Sequence, residues 1–69
     1  MRLSARNQLD GTVVSVEHGA VTSSVIVRLA GGQEVVSSIT KDAAQALELR
    51  EGDAVKAVIK ASDVMIGKD

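Results

Sequence analysis

The sequence predicts an all-β fold, a small barrel of five strands with one short helix between strands 3 and 4. Three observations lead to that class. Apolar and polar residues alternate with a period of two along much of the chain, as they do on strands with one buried face. Val, whose β-branched side chain favours strands, is the most frequent apolar residue. The one run rich in Ala and Leu, Lys41 to Leu47, falls after the third strand-like segment.

Thr12 to Glu17 is Val-rich and follows Gly11, and reads as the first strand. Beyond His18 and Gly19 the alternation is clean. Val21, Val25, Val27 and Leu29 fall on one face, with Ser23 at an inward position, while Thr22, Ser24, Ile26 and Arg28 fall on the other. This is the second strand. Gly31-Gly32 then stands between two strand-like runs and predicts a tight hairpin turn, because both glycines tolerate positive φ. Glu34 to Ile39 is the third strand. Thr40 is placed to cap a helix, with Asp42 in the first turn where a negative charge suits the helix dipole. Lys41 to Leu47 supplies about two helical turns. Glu51-Gly52-Asp53 is a turn, Ala54 to Lys60 a fourth strand, and Val64 to Ile66 a short fifth. Three strands, a helix and two strands is the order of the OB-fold, in which the helix would plug one end of the barrel.

Size sets the next constraint. A chain of 69 residues makes one domain, here residues 1–69, and a core that small normally needs a staple. The chain has no cysteine and a single histidine, so disulfides, thiolate metal sites and a histidine-built zinc site are all excluded. Oligomerisation is the staple that remains. Ile26, Val36 and Val58, on the strand face opposite the expected core, are candidates for burial in a subunit interface.

Composition also bounds function. Apolar residues make up 45% of the chain, yet Phe, Trp and Tyr are absent, and the net charge is −1. Single-strand nucleic-acid binding by an OB-fold relies on aromatic stacking platforms and a positive groove, and this chain offers neither; no nucleic-acid partner is expected. No apolar run reaches the ~20 residues that span a bilayer, and the N-terminus lacks a secretory signal's apolar stretch. A soluble cytoplasmic protein without a membrane partner is therefore expected. Catalysis is not expected either, because His18 has no acid, base or nucleophile marked out for it and reads as an idle surface residue beside the Gly19 turn.

What the chain does concentrate is small hydrogen-bond donors at turns. Ser4-Ala5-Arg6-Asn7 precedes the first strand and Lys60-Ala61-Ser62 follows the fourth. Each combines a hydroxyl, small residues that leave backbone N–H groups accessible, and a cation. Successive N–H groups in a turn form an anion-binding concavity, and two such segments meeting would make a cage of donors only. Such a cage suits an unprotonated dianion, whereas hydrogen phosphate would bring a proton face to face with another donor. Gly19-Ala20-Val21-Thr22-Ser23 is a second candidate of the same kind, with two hydroxyls and no cation; copies gathered on a symmetry axis could hold an anion there through N–H groups without any Lys or Arg.

At these segments the sequence resembles a known family. Ser4-Ala5-Arg6-Asn7-Gln8-Leu9, then Gly11 and Val13-Val14, resembles the opening motif of the molbindin (Mop) family. Lys60-Ala61-Ser62-Asp63-Val64-Met65-Ile66 resembles its closing motif, and Gly19, Val21-Thr22 and Gly31-Gly32 fit between them. The likeness runs over essentially the whole chain. It implies an OB-like fold, a homohexamer arranged as a trimer of dimers, and molybdate or tungstate held between subunits. It also implies intracellular storage or homeostasis of these oxyanions, or else a module that senses molybdate for a partner protein.

Carried over residue by residue, the likeness sets Ser4, Ala5, Arg6 and Asn7 of one subunit against Lys60, Ala61 and Ser62 of another. Ser4 and Ser62 would donate through hydroxyls, Ala5, Arg6 and Ala61 through backbone N–H groups, and Lys60 would supply charge. A second class of family site, near the threefold axis, matches Gly19, Ala20, Val21 and Thr22. Ala61 departs from relatives that carry a hydroxyl residue at that position.

Overall fold

The computed structural model describes residues 2–69. Strand β1 spans Asn7–His18, β2 Thr22–Leu29, β3 Glu34–Thr40 and β4 Ala54–Ile59; helix α1 spans Lys41–Ala46, and a 3₁₀ turn follows β4 at Ala61–Asp63. The strands form a single sheet in the order β3-β2-β1-β4, and each neighbouring pair is antiparallel. The all-β class holds, as does the helix between the third and fourth strands.

The sheet curls because its longest strand serves two neighbours in succession. Residues Asn7 to Thr12 of β1 pair with β4, and Gly11 to His18 pair with β2. Between Val13 and Ser15 the register slips by one residue, a bulge at Val14 that bends the strand and adds twist. At the overlap, where β1 is flanked on both sides, stands Gly11. A Cβ there would lie 2.5 Å from Val27 Cγ1 and 2.8 Å from the Arg28 carbonyl oxygen, so only glycine lets β2 come this close.

Curling brings Val13, Val25 and Val27 together as the buried centre, and Val16, Leu29, Ile39, Leu49 and Val55 pack around them. The alternation read from β2 is present, with Ser23, Val25 and Val27 buried. Val21 departs from it: it lies just before the strand and is 74% exposed, its carbonyl taken by the Lys41 N–H at 2.8 Å.

The β2–β3 turn differs from a two-glycine hairpin. Gly32 N–H donates to the Leu29 carbonyl at 2.9 Å, Leu29 N–H donates to Gln33 at 2.8 Å, and only Gly32 (φ 92°) takes a positive φ. This is the three-residue loop in which a left-handed glycine follows the turn. Thr40 caps α1 as its sequence implies, its Oγ1 accepting from Ala43 N–H at 3.0 Å. The helix ends with Glu48 in the left-handed region (φ 51°) and Leu49 N–H returning to the Ala44 carbonyl at 3.3 Å. The turn at Glu51-Gly52-Asp53 is present and is stitched to the core: Gly52 N–H donates to Val13 O at 2.8 Å and Val13 N–H to Asp53 O at 2.9 Å.

The fifth strand does not form, and the sheet has four strands. After Ile59 the 3₁₀ turn, closed by Asp63 N–H to the Lys60 carbonyl at 2.9 Å, carries the chain out of line with β4. Val64, Met65 and Ile66 then run on exposed at 45, 91 and 90%. β3 and β4 are therefore the sheet's two edges, and the barrel is open between them. The opening is a cleft of about 700 Å³ lined by residues such as Val27, Val35, Ile39, Val55 and Ile59.

Candidate functional site

The β1–β4 ladder decides which of the donor segments meet. Its first pair is Asn7 with Ile59. The chain before Asn7 and the chain after Ile59 therefore leave the sheet side by side, with Arg6 and Lys60 the first residues beyond the ladder; from Ala61 on, the 3₁₀ turn carries the second segment out of line with β4. Two segments more than fifty positions apart in sequence become neighbours through one antiparallel pairing.

Each segment presents donors. Asp63 and Val64 use their N–H groups to close the 3₁₀ turn onto Lys60 and Ala61. The N–H groups of Ala61 and Ser62, like those of Ala5 and Arg6, donate to no carbonyl among the described residues. Ser4, Arg6, Lys60, Ala61 and Ser62 are exposed and Asn7 is half-buried. Ala5 is the exception at 7% exposure; its methyl pins the segment to the protein while the neighbouring groups face out. Among the described residues the ion pairs are Arg28–Glu34 and Lys56–Asp10 at 2.8 and 2.7 Å, so neither Arg6 nor Lys60 has its charge matched by a protein carboxylate. The acidic residue of the turn, Asp63, is exposed. Hydroxyls, amides and two unmatched cations form an acceptor-poor surface, suited to an anion by hydrogen bonding and charge together.

Gly19, Ala20, Val21 and Thr22 lie elsewhere, in the turn joining β1 to β2. β1 is 12 residues long, so the two candidate regions sit at its opposite ends, on the order of 30 Å apart at a strand's rise per residue. The turn is partly closed on itself: Gly19 N–H donates to the Thr22 carbonyl at 2.7 Å and is not available to a ligand. Ala20 and Val21 N–H groups donate to no carbonyl among the described residues. All four residues are exposed.

Two participants were not legible in advance. His18, read as an idle turn residue, is the last residue of β1, and its Nδ1 lies 2.6 Å from Ser23 Oγ, directly across the ladder. Ser23 is only 1% exposed, and a buried hydroxyl without a partner is costly, so His18 satisfies the polar group beneath the turn. The inward position of Ser23 was the available signal. The second participant is Gln8, whose Nε2 donates to the Ala5 carbonyl at 3.2 Å; nothing in a single sequence distinguishes it from an ordinary strand glutamine.

Fold and site together define a small, OB-like β domain with a donor-rich surface at one end of its central strand pair. Residues 3–66 match the TOBE domain family, and the chain belongs to it, within the molbindin (Mop) group. It is 50% identical over 66 residues to molybdenum-pterin-binding protein 3 of Clostridium pasteurianum, covering 96% of this chain and 97% of that one. The fold superposes on a molybdate-binding protein from Sporomusa ovata with a TM-score of 0.92 at 35% identity, covering 99% of this chain and 100% of the other. It also superposes on the cytoplasmic molybdate-binding protein ModG, in a molybdate-bound form, with a TM-score of 0.90 at 51% identity, covering 94% of this chain and 46% of ModG.

Proposed function

We propose that this chain binds molybdate, and tungstate by the same chemistry, at sites completed between copies of itself, and that it serves intracellular storage and homeostasis of these oxyanions. One observation supports the reading: the segments Ser4-Ala5-Arg6-Asn7 and Lys60-Ala61-Ser62 both depart from the same end of the β1–β4 ladder, with two cations that no carboxylate among the described residues neutralises. A tetrahedral dianion accepts hydrogen bonds on every side. The donors of a single copy are nearly all exposed and can cover only part of it, so the same surface of a second copy closes the cage. The names of the relatives, molybdenum-pterin-binding and molybdate-binding, agree with that ligand.

Features away from the site support assembly. Val36 and Val58 are 70% and 41% exposed, the cleft between β3 and β4 is apolar, and Met65 and Ile66 stand in solvent in the single copy. A homohexamer arranged as a trimer of dimers would bury such surface and would bring Gly19, Ala20, Val21 and Thr22 of several copies around an axis. Ala20 and Val21 N–H groups are the donors available there.

Calorimetric titration with molybdate, tungstate, sulfate and phosphate, on protein of known mass from light scattering, tests the proposal. The expected result is saturable binding of the two metal oxyanions by an oligomer, with weak competition from phosphate. A monomer that ignores molybdate at millimolar concentration overturns it. Co-purification of one stoichiometric partner protein would replace storage with sensing.

A further inference from the structure

We propose that Gln8 is a positioning residue for the oxyanion site, acting through the peptide group that joins Ala5 to Arg6; the inference rests on the functional reading above. Gln8 lies on β1 in register with Val58 of β4 and is half-buried. Its side-chain amide reaches back three residues, Nε2 to the Ala5 carbonyl oxygen at 3.2 Å. The orientation of the carboxamide is settled by chemistry, since a carbonyl oxygen can be met only by its NH₂ group.

The Ala5 carbonyl and the Arg6 N–H belong to one planar trans peptide unit, in which C=O and N–H point in opposite directions. None of the peptide bonds described is cis. Holding the oxygen toward Gln8 therefore turns the Arg6 N–H to the opposite side, where no protein carbonyl among the described residues accepts from it. The buried Ala5 methyl, 7% exposed, fixes the same unit from its other end. A hydrogen bond accepted by the carbonyl also polarises the peptide group and makes its N–H a better donor. Gln8 thus pre-orients and strengthens a donor it shares no atom with, and lowers the ordering that an anion would otherwise have to impose on an exposed segment.

Two full-length variants test this. Gln8→Met keeps the length and removes the donor. Gln8→Glu keeps the shape, but as a carboxylate it can only accept and so repels the Ala5 oxygen. Loss of one hydrogen bond's worth of orientation should weaken molybdate binding by about 5-fold in Q8M, and by more in Q8E at neutral pH. In both variants without ligand the backbone amide resonance of Arg6 should move. In ligand-free Q8E it should return toward its parental position as pH falls through the ordinary carboxyl range near ~4.3, because a protonated Glu donates as Gln does. A lowered melting temperature with an unmoved Arg6 amide would make Gln8 a structural cap and overturn the proposal, as would parental affinity in both variants. If the parent bound no molybdate, the functional reading would fail, whereas the Arg6 amide shift would still report on the Gln8–Ala5 link.

Discussion

The two ends of β1 solve the same problem in different ways. At the Asn7 end, the strand's neighbour is β4, remote in sequence, and the two chains leaving the ladder bring cations, hydroxyls and amides that the protein leaves unmatched. At the His18 end, the neighbour is β2, joined by a short turn. There the structure consumes much of its own polarity, with Gly19 N–H spent on Thr22 and the His18 ring spent on Ser23. The lesson is that small polar residues at a turn do not make a site by themselves. What matters is how many donors remain after the backbone has met its own needs. By that measure the Asn7 end keeps donors and charge available for a ligand, whereas the His18 end has few donors left.

The strongest way to break this contrast is to discharge one end only. Replacing both Arg6 and Lys60 by Ala removes two charge-assisted contacts and should weaken molybdate binding at the ladder site by about 100-fold. The melting temperature of the ligand-free protein should hardly move, because neither side chain is paired with a carboxylate among the described residues. Calorimetry and a thermal melt read the two quantities, and unchanged affinity would remove the Asn7 end from the comparison.

A core change should treat both ends alike. Val13 is 1% exposed and at the centre of the buried cluster, so Val13→Ala should cost about 2 kcal/mol of stability in denaturant titration. A smaller and more local effect is expected at the other end. His18→Ala leaves the buried Ser23 hydroxyl without its partner and should cost about 1–2 kcal/mol, with less than a twofold change in affinity at the ladder site. A His18→Ala/Ser23→Ala double variant should recover part of that loss, since the orphaned hydroxyl is gone. Least of all, and of opposite sign, Glu48→Gly relieves a non-glycine residue at φ 51°. It should stabilise the fold by about 0.5–1 kcal/mol without altering binding, which separates global stability from the behaviour of either end.

Much of the local structure was legible because it follows from short-range rules. The alternation of Val25 and Val27 placed them inward, Thr40 was recognisable as a cap, and Glu51-Gly52-Asp53 as a turn. The fifth strand was not, since Val64 to Ile66 has strand-like composition but needs an edge to pair with, and the 3₁₀ turn at Ala61–Asp63 takes it away from the sheet. Asn7 precedes the Val-rich run, yet it is the first residue of β1, because pairing to Ile59 extends the ladder beyond that run. The role of His18 is hidden in the sequence for a related reason: its partner Ser23 lies five positions away but becomes adjacent only in the hairpin register.

The amino-acid sequence alone determined the all-β character, the place of the helix, the absence of disulfides and aromatic platforms, and the three segments rich in small donors. Those properties depend on side-chain chemistry and on periodicities of a few residues, which act before the chain folds. The tertiary structure alone decided which donors stand together and which are already spent. Antiparallel registry between β1 and β4 joins Arg6 to the surroundings of Lys60, and backbone hydrogen bonds close Gly19 onto Thr22. Hydrogen-bond capacity is assigned by proximity in space, and for residues so far apart along the chain only the sheet establishes it.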